Sequence, residues 1–165
     1  MLETLPVSNI FAISLVIVSI GTLIYFAWRT LITSNLFQKG IKLFQAKDYE
    51  GAEAAFRQVI AINSTNDMVR LLLGDILNHK GEIDQAKELF SEVIILNPKN
   101  PNAYLRLANI LLLQKNEEEA INNLQQAKDL FQKQRQPQKV ETIDKILQEI
   151  GGKKEEGTGK KVTND

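Results

Sequence analysis

Apolar positions along this chain follow two regimes. From Thr4 to Trp28 no residue is charged, and Val7 to Trp28 is dominated by Ile, Leu, Val, Phe and Ala. Twenty-two helical residues extend about 33 Å, against a hydrocarbon core of roughly 30 Å, so this stretch is predicted to cross a bilayer as one helix. Beyond it the apolar residues return at helical spacing, and the whole pattern recurs every 34 residues. Gly40, Gly74 and Ala108 share one column, and Leu43, Leu77 and Leu111 a second. Ala52, Ala86 and Ala120 form a third, and Phe56, Phe90 and Leu124 a fourth. Small, large, small and aromatic columns at this period predict stacked pairs of antiparallel helices.

The repeating part divides into residues 33–66, 67–100 and 101–134. In the first unit Leu36 to Gln45 is one helix, Ala46-Lys47-Asp48 turns, and Tyr49 to Asn63 is the other. The second unit breaks at Lys80-Gly81-Glu82, where glycine suits a helix C-terminus. The third breaks around Lys115-Asn116. Asn97-Pro98 closes the second unit, because the residue before proline is pushed out of helical geometry. Gly40, Gly74 and Ala108 are expected where the two helices of a unit approach most closely, with Ala52, Ala86 and Ala120 facing them. Phe56, Phe90 and Leu124 are expected to fill the space between units.

A stacked array needs a polar-faced cap. Residues 138–150 supply one, with Val140, Ile143, Ile146, Leu147 and Ile150 at helical spacing after the break at Gln136-Pro137. Residues 151–165 carry almost no large apolar side chain and read as a disordered tail. At the other end, residues 1–6 read as a short tail and 29–34 as a connector. The connector contains no proline or glycine, so the membrane helix and the first repeat helix are expected to run nearly continuously.

The apolar run reads as an uncleaved anchor at residues 7–28. A signal peptide has a positively charged start and small residues at its cleavage site. This chain has Glu3, with Tyr25, Phe26 and Trp28 where small residues would be needed. Tyr25 and Trp28 stand where an interfacial aromatic belt belongs. The hydroxyls of Ser14, Ser19 and Thr22 are expected to bond back to the helix. Arg29, Lys39, Lys42 and Lys47 follow the run and no Lys or Arg precedes it. That asymmetry places the soluble part on the cytoplasmic or stromal side. Asn63-Ser64-Thr65, a glycosylation triplet by pattern, then stays unmodified and reads as a loop.

These columns resemble the tetratricopeptide repeat family. The second unit carries Leu73-Gly74, Leu77, Ala86, Phe90 and Pro98, and the first Gly40, Leu43, Tyr49, Ala52 and Phe56. The third carries Tyr104, Leu107-Ala108, Leu111, Ala120 and Ala127. Ser64 and Gln132 stand where the family favours proline, and Leu124 where it favours an aromatic. The resemblance implies a three-repeat α-solenoid; with the single N-terminal transmembrane helix and the C-terminal capping helix read from the apolar pattern, the expected fold is all-α.

Composition removes most chemistry. Charge balances at 20 basic and 20 acidic residues, so nothing points to nucleic acid. There is no cysteine, which excludes disulfides and thiolate chemistry. One histidine, His79, cannot build a multi-histidine metal site, and it reads as a surface residue at a helix C-terminus. Glu117-Glu118-Glu119 begins a helix, where acidic residues favour the dipole. Gly157-Thr158-Gly159-Lys160 lacks the earlier glycine, the following Ser or Thr and the preceding strand of a phosphate loop. No enzyme activity, cofactor, metal or small-molecule substrate is expected.

In the tetratricopeptide repeat family the first helices of each pair line a concave surface. Carried over by position, the lining is Phe37, Ile41, Met68, Leu71, Asp75, Asn78, Leu105, Arg106, Asn109 and Leu112. Some members grip a chaperone's C-terminal carboxylate with a lysine, asparagine and arginine clamp. The matching positions are Phe37, Ile41, Leu72, Asn102 and Arg106, of which only Arg106 fits. What remains is a largely apolar groove suited to an amphipathic helix or extended segment of a protein partner. Alternatively, Phe37, Ile41 and Leu105 are simply buried between helices or cover the membrane-proximal end.

An anchor, three repeats and a cap are similar to the small thylakoid-anchored members in cyanobacteria and plastids that help assemble or stabilise photosystem I. That resemblance implies a scaffold whose partners are membrane-complex subunits. Rival readings are a bacterial membrane-tethered adaptor for quality control, envelope biogenesis or translocation, and a structural subunit of a membrane complex.

Overall fold

Between Pro6 and Gln45 no proline interrupts the chain, and a single helix, α1 (Val7–Gln45), takes up the whole stretch. A computed structural model describes the backbone of residues 7–159 and the side chains of 11–152. The tail expected at 1–6 and the last six residues of the tail expected at 151–165 lie outside that range. At 39 residues α1 is about 58 Å long. Residues 29–34 are helical rather than a separate connector. Thr30 and Thr33 donate to the carbonyls of Phe26 and Arg29 at 2.8 Å, folding their hydroxyls onto the helix. Ser14 and Thr22 do the same higher up.

Six shorter helices follow: α2 (Tyr49–Ile62), α3 (Asp67–His79), α4 (Ile83–Leu96), α5 (Pro101–Leu113), α6 (Glu117–Lys133) and α7 (Pro137–Gly159). They form two compact units, residues 1–64 with α1 and α2, and residues 65–165 with α3 to α7. In the second unit α3 pairs with α4 and α5 with α6, and α7 packs on α6.

Each pair turns through one device. Lys47, Gly81, Lys115 and Arg135 all have positive φ, at 62°, 81°, 60° and 57°. One residue later the backbone N–H reaches back to a carbonyl five positions earlier: Asp48 to Leu43, Glu82 to Leu77, Asn116 to Leu111 and Gln136 to Phe131. This is a left-handed C-cap, which satisfies the carbonyls orphaned at a helix end. The next residue opens the following helix. Asp48 accepts from the Gly51 N–H and Asn116 from the Glu119 N–H, whereas Glu82, one methylene longer, makes no such cap bond.

The small columns work inside a pair. A Cβ added at Gly40 would lie 2.5 Å from Phe56 Cε1, and one at Gly74 would lie 2.4 Å from Phe90 Cε1. The aromatic column therefore sits on the glycine column of its own unit, which corrects its expected place between units. The missing side chain is the space into which the ring fits. In the third unit Ala108 and Leu124, both fully buried, occupy these columns. They share a core with Ala127, Phe131, Ile143 and Ile150.

The last two residues of that core come from α7, together with half-buried Val140, Ile146 and Leu147. Lys128 Nζ meets Asp144 Oδ1 at 2.6 Å along the same seam. The expected boundary at residue 150 is overrun: α7 continues through Gly151-Gly152 to Gly159. Lys153-Lys154-Glu155-Glu156 are good helix formers, and a helix already nucleated propagates through two glycines at modest cost.

Candidate protein-binding face

The first helices of the second unit, α3 and α5, carry most of the lining expected from sequence. Asn66 and Asn100 start them, accepting from the Val69 and Asn102 N–H groups at 3.1 Å. Pro101 occupies the first turn of α5, where its missing N–H costs nothing. The α3–α4 pair is tied at one end by Asn97, whose amide donates to Asp67 Oδ2 at 2.7 Å. Tyr104 donates its hydroxyl to the Pro98 carbonyl at 3.2 Å, which fixes the start of α5 against the preceding loop.

α3 and α5 are bridged by one ion pair. Arg106 Nε lies 2.7 Å from Asp75 Oδ1 and 3.0 Å from Oδ2. Both side chains are about a quarter exposed, at 29% and 26%, so the pair sits at a surface that solvent reaches. Its consequence is electrostatic. The one clamp-like cation is neutralised by a carboxylate of its own chain, and an incoming carboxylate has to compete with Asp75.

Around this pair the expected lining sorts by burial. Met68 is 62% exposed. Asn109 is exposed and Asn78 half-buried. Leu71 is only 6% exposed and belongs to the core, not to an open surface. Its position follows Val69-Arg70 and precedes Leu73-Gly74, all buried, so this part of α3 is enclosed on nearly every side. Leu105 and Leu112 are half-buried because they pack on the α5–α6–α7 core. In the first unit Phe37 is half-buried with its ring 6.1 Å from that of Phe56, and Ile41, four residues on, is also half-buried. Phe37 stands three residues before Gly40, where the Phe56 ring enters, so its role is packing within that pair. Of the remaining clamp positions, Leu72 and Asn102 are half-buried. The second unit's lining is thus more polar than the sequence implies, with amides and a neutral ion pair beside one exposed methionine.

Two arginines were not legible as structural residues. Arg70 is 8% exposed, with Nε 3.1 Å from Glu92 Oε2. Its Nη1 finds no partner among the described residues. Its column holds Leu36 and Tyr104, so periodicity marks the position as inward-facing, while residue type alone marks it as surface. Arg29 donates through Nη2 to the Ile62 carbonyl at the end of α2. No sequence pattern pairs those two positions.

On the outer end of the unit, Gln132, Arg135, Gln136, Pro137, Val140 and Glu141 line an open notch of about 490 Å³ at the α6–α7 turn. There Lys145 holds the Glu141 carboxyl below the usual carboxylate range through a hydrogen bond and its charge, and is itself raised in return. Among the described residues no group of three or more His, Cys, Asp or Glu could hold a metal ion.

No curated protein sequence matches the chain. Solved structures do. The type III secretion translocator chaperone SycD of Yersinia enterocolitica is similar with a TM-score of 0.67 at 26% identity, over 74% of this chain and 85% of that one. PcrH in complex with the chaperone binding region of PopB is similar at 0.66 and 17% identity, over 69% and 93% of the two chains. The tetratricopeptide repeat domain of Arabidopsis OM64 is similar at 0.63 and 19%, over 73% and 98%. The last two likenesses concern the fold alone. A sequence model of the tetratricopeptide repeat matches residues 43–95 and 79–142, more than half of the chain. Together with the helix pairs, their 34-residue columns and the left-handed turns, this shows that the chain belongs to the tetratricopeptide repeat family.

Proposed function

We propose that this protein is a membrane-anchored scaffold that holds a segment of a protein partner during assembly or stabilisation of a membrane complex, of the photosystem I type. The observation that carries the reading is α1. Its apolar part is long enough to span a bilayer and lies fully exposed on the described residues, and the same helix continues into the first repeat pair. A soluble protein would bury such a surface. The basic residues Arg29, Lys39, Lys42 and Lys47 after the apolar run favour the cytoplasmic or stromal side for the repeats.

The face around Asp75–Arg106 is the proposed contact. Asn78 and Asn109 offer amide donors and acceptors to a peptide main chain, and Met68 offers an adaptable apolar contact. The neutral ion pair disfavours a free carboxylate terminus. An extended or amphipathic segment with few charges fits best. A second reading, a tethered chaperone for a translocated protein, draws on the likeness to SycD, which has been seen with a peptide of the translocator YopD.

Affinity capture from native membranes after fractionation separates the two. Recovery of photosystem I subunits supports the first reading, and recovery with transport machinery alone overturns it in favour of the second. For the face itself, Met68→Glu with Asn109→Glu places two charges on exposed positions. Capture should be lost with melting unchanged; retained capture by the folded variant would place the interaction elsewhere, on α1 for instance.

A further inference from the structure

The first unit contains a notch that the repeat pattern does not call for. Tyr25, Trp28, Arg29 and Ile32 of α1 line it on one side and Ala61 and Ile62 of α2 on the other, enclosing about 360 Å³. Its origin is geometric. The Phe56 ring lies over Gly40, and Arg29 is eleven residues above Gly40 on α1 while Ile62 is six beyond Phe56 on the antiparallel α2. At 1.5 Å per residue, α2 therefore ends about 7.5 Å short of the Arg29 level, on the side away from the apolar run. The arginine side chain spans that gap to reach the Ile62 carbonyl. The space beside the bridge is left open between Trp28 and Ile32 of α1 and Ala61 and Ile62 of α2.

We infer that this notch seats one anionic phospholipid of the bilayer, its phosphate on the Arg29 guanidinium at the level of Ala61 and Ile62, and its glycerol and upper acyl chain against Ile32 and, on the bilayer side, Trp28 and Tyr25. The inference rests on the reading of α1 as membrane-spanning. Three observations carry it. Arg29 ends the uncharged run, and Tyr25 and Trp28 stand in the aromatic belt, which puts the notch at headgroup level. Arg29 has no carboxylate partner among the described residues, and a carbonyl acceptor leaves its full charge in place while using one of five donors. The other lining side chains are apolar apart from the Tyr25 hydroxyl and the Trp28 indole N–H, so the site offers one cation next to largely hydrocarbon side chains. A soluble anion would use only the first of these; a glycerophospholipid uses both.

Trp28 is the chain's single tryptophan, so its fluorescence reports on the notch directly. The full chain is reconstituted in phosphatidylcholine vesicles containing a minority of phosphatidylglycerol. Bromine is placed on the upper acyl chain of one lipid or the other, at equal mole fraction. Brominated phosphatidylglycerol should quench Trp28 more strongly, by about two- to fivefold, the range that one interfacial cation supports. Arg29→Lys should keep the preference and Arg29→Gln should lose it, with helix content unchanged by circular dichroism in both. Equal quenching by the two lipids, or an undiminished preference in Arg29→Gln, would overturn the lipid site while leaving the anchor intact. Absence of quenching by either lipid would instead remove the anchor reading on which the site rests.

Discussion

Replacing Gly74 by alanine asks whether the small and aromatic columns are coupled. The added Cβ would lie 2.4, 2.8 and 3.0 Å from three ring carbons of Phe90, where ordinary contacts begin at 3.4 Å. Phe90 is 1% exposed and has nowhere to swing. Overpacking of this kind costs about 1–3 kcal/mol, offset by about 1 kcal/mol of helix propensity on leaving glycine. Gly74→Ala alone should therefore destabilise by about 1 kcal/mol. Phe90→Leu alone leaves a void over Gly74 and should cost about 1–2 kcal/mol. Together the methyl fills the space that the ring vacates, as Ala108 and Leu124 already do in the third unit. The double variant should then lie within about 0.5 kcal/mol of the parent, a coupling of roughly 2 kcal/mol. Urea melts of the full chain in detergent, followed by far-UV circular dichroism, measure all four corners of the cycle. Single effects that add to within about 0.5 kcal/mol would refute the claim that ring and glycine share one space.

Further outcomes follow from the turns and the exposed pair. Lys115 holds a left-handed conformation that glycine adopts freely, so Lys115→Gly should stabilise by about 0.5–1 kcal/mol, and Gly81→Ala should destabilise by a similar amount, both read by thermal melting. Glu82 opens α4 without a cap bond; Glu82→Asn should gain up to about 1 kcal/mol in the same assay, less whatever its contacts with Lys80 and Gln85 now contribute. The Glu141 carboxyl is held below its ordinary range by Lys145, so this pair's contribution is present above the unfolded carboxyl pKa and fades as pH falls through the lowered folded value. Both side chains are about two-thirds exposed. Glu141→Gln should therefore leave melting almost unchanged at neutral pH in high salt, and an NMR titration of the Glu141 carboxyl should show the downward displacement.

What sequence reveals here depends on whether a position repeats. The packing columns were readable because three copies of one space must be filled alike, and where the filling changes, from Gly with Phe to Ala with Leu, both members change together. All three turns were readable from the repeat, at Ala46-Lys47-Asp48, Lys80-Gly81-Glu82 and Lys115-Asn116, but only Gly81 announces its left-handed backbone by residue type, whereas Lys47 and Lys115 adopt it without that signal. The candidate face was less legible for the opposite reason. Its chemistry rests on contacts that do not repeat: Asp75 and Arg106 are 31 residues apart, out of step with the period, so no column displays them as a pair. The same logic explains the continuous first helix. Asn66 and Asn100 begin α3 and α5 by capping them, and the corresponding residue of the first unit is Ile32. Isoleucine offers no acceptor for an orphan N–H, so nothing at that column starts a new helix, and the apolar run passes into the repeat unbroken. One missing cap thereby determines that the first repeat pair is built directly onto the segment able to cross a membrane.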